Sequence, residues 1–124
     1  MKVLLVDDEE QLVFTLAERL SLRGFEVSWA ITGLDALAQA EINTFNVAVL
    51  DMKMPLMSGL ELKNKLQAKC PAMKFIFLTG HGSKADFKSA ALNIGKEYYL
   101  IKPLNIDALV QKLREVTAIR GNDS

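Results

Sequence analysis

The sequence predicts a doubly wound α/β domain: five parallel strands in the order 2-1-3-4-5, with helices on both faces. Three observations predict it. Short, wholly apolar runs recur along the chain, as in strands buried on both faces: Val3-Leu4-Leu5-Val6, Val47-Ala48-Val49-Leu50, Phe75-Ile76-Phe77-Leu78 and Tyr98-Tyr99-Leu100-Ile101. Helical periodicity fills the intervals between them, and such alternation argues for a parallel sheet covered by helices. Each run also stops at a polar residue, respectively Asp7-Asp8, Asp51, Thr79-Gly80 and Lys102-Pro103. In a parallel sheet these stops share one edge, and that edge is where ligands bind in open α/β folds.

The elements follow in order. After the first strand, residues 9–23 read as a helix, with Leu12, Val13, Leu16 and Leu20 at helical spacing. Glu9 and Glu10 suit its first turn, Arg19 and Arg23 its last, and Gly24 stops it. Phe25, Val27 and Trp29 alternate with Glu26 and Ser28, the pattern of a half-exposed edge strand. With right-handed crossovers, that edge gives the 2-1-3-4-5 order. Thr32 caps a helix expected to carry Leu34, Leu37, Ala38 and Ile42 inward. Strand three is 47–50. A loop through Met54-Pro55 leads to a helix over about 58–69 with Leu62 and Leu66 on one face, ended by Pro71. Strand four is 74–78. Ser83 caps a short helix with Phe87, Ala90, Ala91 and Ile94, which Gly95 closes before strand five at 97–101. Asn105 caps the last helix, whose Ile106, Leu109, Val110, Leu113 and Val116 form a clean apolar stripe.

The 124 residues suit one domain, expected over 1–119 with a loose polar tail at 120–124. Lys+Arg and Asp+Glu balance at 15 each, so no net charge draws the domain to nucleic acid or a membrane. A single cysteine, Cys70, rules out an internal disulfide and a cysteine zinc site. The N-terminus has no secretory pattern and no apolar stretch reaches membrane-spanning length, which together point to a cytoplasmic setting.

The strand ends bring together Asp7, Asp8, Asp51, Thr79 and Lys102. Crowded carboxylates repel, and burial raises that cost. A divalent cation relieves it, and hard oxygen ligands select Mg²⁺. A carboxylate beside such a cation can attack phosphorus to give an aspartyl-phosphate. Lys102 supplies a point charge to the transferred group and Thr79 a hydroxyl donor, while Gly80 leaves the approach open.

With those residues in place, the sequence resembles the receiver domain of bacterial two-component response regulators, a CheY-like, flavodoxin-like (βα)5 fold. The resemblance spans about residues 2–119. It implies Asp7 and Asp8 as metal-binding acids, Asp51 as phosphoacceptor and metal ligand, and the Lys53 backbone carbonyl as a further Mg²⁺ ligand. Asp51 is followed by Met54-Pro55 and Gly59, as in the family's phosphoacceptor loop. Thr79 and Lys102 would stabilise the phosphoryl group, with Pro103 behind a cis bond. Thr79 and Tyr99 would form the switch, and Lys53 and His81 would tune phosphoryl lifetime. The implied donor is a phosphohistidine on a sensor histidine kinase or a phosphotransfer protein. The implied output is an output domain, a protein partner or a second copy, bound through residues 83–119. The implied chemistry is Mg²⁺-dependent self-phosphorylation and autodephosphorylation, with no further enzyme activity. One departure is the stretch Gly95-Lys96-Glu97-Tyr98-Tyr99, where the family usually has small and acidic residues before its aromatic. The chain reads as a stand-alone receiver or as the N-terminal part of a longer regulator.

Three rivals fit less well. An aspartyl-phosphate phosphatase of the haloacid dehalogenase type places its nucleophile in a D-x-D motif after the first strand and its acidic pair late. Here the pair comes first, and Asp51-Met52-Lys53 lacks the second acid. A docking module without phosphorylation would not need Asp8, Asp51, Thr79 and Lys102 together. Gly80-x-Gly82-x-x-Ala85 fits the dinucleotide fingerprint formally, but it follows the fourth strand and no acid lies about 20 residues on.

Overall fold

The computed structural model describes residues 1–80, 99–102 and 104–121, with side chains through 118. The strands are β1 (Lys2–Val6), β2 (Glu26–Ala30), β3 (Val47–Asp51), β4 (Lys74–Thr79) and β5 (Tyr99–Ile101). The described helices are α1 (Glu10–Leu22), α2 (Gly33–Ile42), α3 (Gly59–Lys69) and α4 (Ile106–Gly121). All neighbouring strands are parallel and the sheet order is β2-β1-β3-β4-β5, as the sequence predicts. The expected helix at 84–94, His81 and Pro103 lie outside the described residues.

Strand alternation explains why the apolar runs are continuous. Val3, Leu5, Val47, Val49, Ile76 and Leu78 pack with α1 and α4 on one face. Leu4, Val6, Ala48, Leu50, Phe75 and Phe77 pack with α2 and α3 on the other. Both faces are therefore core, and each strand residue has an apolar layer to enter. β2 is half-exposed at the sheet edge, in line with its mixed sequence.

Thr32 and Asn105 cap their helices as expected, and Ser58, expected only as a helix start, is a cap as well. Thr32 Oγ1 accepts from the Asp35 amide at 3.1 Å, Ser58 Oγ from Glu61 at 3.1 Å, and Asn105 Oδ1 from Asp107 at 2.8 Å. Gly24 takes φ of +93° after α1, a conformation that side chains resist. Lys69 of α3 pairs with Glu41 of α2 and ties those helices together.

One expectation needs correction. In α2 the inward face is Gly33 and Ala36, flanked by half-buried Leu37 and Ala40. Leu34 and Ile42 are 71% and 81% exposed, and Ala38 is also exposed. Gly33 meets Met57, so the helix approaches its neighbours through small residues and turns its larger apolar ones out. The last helix runs to Gly121.

The apolar stripe of α4 carries more stability than the leucines of α2. Leu113 is fully buried, so Leu113→Ala should cost about 2–5 kcal/mol. Leu34→Ala should stay within about 0.5 kcal/mol of wild type. Urea unfolding measures both, and equal losses would contradict this layer assignment.

Candidate functional site

The backbone ladder sets the site. Val6 is in register with Leu50, and Thr79 with Ile101, so the residues ending β1, β3, β4 and β5 emerge side by side. The Asp7 amide donates to the Ala30 carbonyl at 3.2 Å, Met52 to Leu78 at 3.0 Å and Lys102 to Thr79 at 2.7 Å. These bonds extend the sheet by one residue and fix the strand ends. Gly59 is required close by. A Cβ there would be driven into the backbone carbonyl of Asp51, so only glycine lets α3 start this near β3.

Asp7, Asp8 and Asp51 place carboxylate oxygens within 4.8 Å of one another. Asp7 and Asp51 are buried and Asp8 is exposed. Lys102 reaches into this group, its Nζ 2.7 Å from Asp7, 2.9 Å from Glu9 and 3.6 Å from Asp51. The Glu9 amide donates to Asp7 Oδ1 at 3.0 Å, and the Lys53 amide lies 3.4 Å from Asp51 Oδ1. Asp8, Glu9, Asp51, Met52, Lys53, Thr79, Gly80 and Lys102 line one pocket.

The electrostatics follow from burial and crowding. Desolvation, then repulsion from Asp7, lifts the Asp51 carboxyl to about 6, against the pull of Lys102. Burial also raises Asp7, opposed by its hydrogen bond from Lys102. Burial disfavours the Lys102 cation, but its contacts with Asp7 and Glu9 outweigh that and hold it above the usual lysine range. Two buried carboxylates sharing one ammonium leave negative charge in excess. Three hard oxygen donors with that excess fit a small divalent cation, Mg²⁺ above all, which keeps waters and binds phosphate oxygens.

The family model of the response regulator receiver domain matches residues 3–114. The chain belongs to the response regulator receiver domain family. Among its relatives, a transcriptional regulatory protein, PrrA, of Mycobacterium tuberculosis is 33% identical over 121 residues, covering 98% of this chain and 52% of the relative. The receiver thus spans about half the length of the curated relatives it matches. A CheY-like receiver domain protein from Methanospirillum hungatei has a similar solved structure, with TM-score 0.87 and 33% identity over 99% of this chain and 98% of that one. A receiver domain protein from Clostridium thermocellum gives TM-score 0.84 and 29% identity, over 97% and 96%.

The receiver fold brings together the expected Asp7, Asp8, Asp51, Lys53, Thr79 and Lys102. Tyr99 is buried and stacked on Phe77 with ring centroids 5.5 Å apart. Burial lifts its hydroxyl to about 12. Sequence reasoning placed Glu9 only in a helical turn and missed its contact with Lys102. Nothing in the run Asp7-Asp8-Glu9-Glu10 separates Glu9 from Glu10; only the three-dimensional path of β5 does.

An acid raised on folding binds protons more readily in the folded state. Between the ordinary aspartate value near ~4 and the Asp51 value of about 6, its contribution to stability therefore falls as pH rises. Asp51→Asn should stabilise the metal-free protein at pH 7 by about 1–3 kcal/mol. It should also flatten the decline in stability between about pH 4 and 6. Denaturant titrations across that range provide the check, and a destabilised Asp51→Asn would contradict the strained-carboxylate account.

Proposed function

We propose that this receiver accepts a phosphoryl group on Asp51 from the phosphohistidine of a sensor histidine kinase or a phosphotransfer protein, in the cytoplasm. The observation that carries the reading is a buried carboxylate, Asp51, sharing a pocket with Lys102, Thr79 and two further aspartates. One Asp51 oxygen attacks phosphorus in line. The P–N bond of the donor breaks, its electron pair stays on the imidazole nitrogen, and the product is an aspartyl-phosphate. Asp7, Asp8, Asp51 and the Lys53 backbone carbonyl would hold Mg²⁺. When bound, it offsets the acidic charge and that of the transferring oxygens. Lys102 turns toward a new phosphoryl oxygen, and Thr79 donates its hydroxyl to another. Hydrolysis of the aspartyl-phosphate resets the domain, at a rate that Lys53 and His81 tune.

The phosphoryl group supplies acceptors that one state of the domain satisfies better, and this biases a surface within residues 83–119. Tyr99 already faces inward in this structure. The phosphorylation-dependent step is therefore assigned to Thr79, with Tyr99 and Phe77 as the packed pair that transmits it. That surface engages an output domain, a protein partner or a second copy of the chain. The receiver itself, over 1–119, contributes no nucleic-acid or membrane contact.

Incubation with acetyl phosphate and Mg²⁺ should add a single phosphoryl group by intact mass. The addition should vanish in Asp51→Ala and under chelation, and fall at least tenfold in Lys102→Ala, the loss of about 1.4 kcal/mol or more of transition-state stabilisation. In the same samples, amide shifts induced near residues 99–113 should shrink in Thr79→Ala. Labelling that persists in Asp51→Ala would refute the assignment.

A further inference from the structure

Glu9 occupies the N-cap position of α1 but makes no side-chain hydrogen bond to the helix. A capping side chain ordinarily turns back onto the first amides. The Glu9 carboxylate instead crosses to Lys102, 93 positions along the chain, and accepts from its ammonium at 2.9 Å. Glu9 also stands outside the Asp7, Asp8 and Asp51 group that could hold a cation. Its contact at the site is with the lysine.

That contact decides where the lysine sits. The ammonium is within hydrogen-bonding reach of Asp7 and Glu9, at 2.7 and 2.9 Å, and beyond it for Asp51, at 3.6 Å. Two of its three donors are thus directed to the β1 side of the pocket. We propose that Glu9 is a positioning residue that holds Lys102 withdrawn from Asp51 and so acts as a brake on the phosphorylated state. The proposal rests on the reading of Asp51 as phosphoacceptor. A phosphoryl group on Asp51 has to win the ammonium from Glu9. Where a cation occupies Asp7, Glu9 is the partner that Lys102 retains, so the brake persists at saturating metal. Glu9 is 63% exposed, which limits the effect to that of a surface ion pair.

The test compares Glu9→Gln with Glu10→Gln, which removes the same charge one residue on. At saturating Mg²⁺, Glu9→Gln should tighten beryllofluoride binding about two- to fivefold, the range of an exposed ion pair. Glu10→Gln should leave it unchanged. In metal-free protein, the Lys102 Cε–Hε signal should shift in Glu9→Gln and not in Glu10→Gln, a readout that helix capping alone would not move. In a Lys102→Gln background the Glu9→Gln effect should disappear. Equal effects of the two glutamines, or normal mimic binding untouched by Glu9→Gln, would overturn the brake alone. Failure of the wild type to bind the mimic would instead overturn the phosphoacceptor reading, and the brake with it.

Discussion

The structure turns on one electrostatic conflict. Adjacent parallel strands β1 and β3 end level with each other, so Asp7 and Asp51 are pressed together in a buried place. The backbone there is fixed, because the Asp7 and Met52 amides are bonded into the sheet. Lys102, following β5, lowers the Asp51 carboxyl, but burial first and repulsion from Asp7 second outweigh that pull. The fold stores this conflict at the sheet edge and keeps the rest of the core apolar. Such concentrations of unfavourable charge are typical of functional sites, where a ligand supplies what the protein withholds.

The same shortage of positive charge orders the chemistry. On the proposed function, a cation and a phosphoryl group would each change which carboxylates Lys102 serves, so each event would alter the value of the other. Lys102 is the shared element because it alone, among the described residues, contacts Asp7, Glu9 and Asp51 together. Thr79 and Tyr99 are the residues proposed to carry this exchange to the sheet interior. Thr79 ends β4 in register with Ile101, and Tyr99 stacks on Phe77 within the same two strands.

Much of this was legible in the sequence, for physical reasons that differ by element. Strands buried on both faces leave continuous apolar runs, and a parallel sheet brings their polar stops to one edge, so both the topology and the cluster could be read. Thr32, Ser58 and Asn105 were readable as caps or helix starts because capping is local chemistry. The buried face of α2 was not legible. Its packing uses Gly33 and Ala36, and small residues give no hydrophobic period, whereas exposed Leu34 and Ile42 mimic one. Glu9 was hidden for another reason: its partner is remote in sequence and its type is ordinary for a first helical turn.

The most direct measurement of the central claim is the side-chain carboxyl ¹³C titration of Asp51, with and without Mg²⁺. The account predicts a midpoint near the value of about 6 in the metal-free protein. Saturating Mg²⁺ should move it down by more than ~1 unit, since a bound dication favours the charged carboxylate. A midpoint near the ordinary ~4, or one indifferent to Mg²⁺, would contradict the idea that a crowded, charge-deficient carboxylate cluster underlies this site.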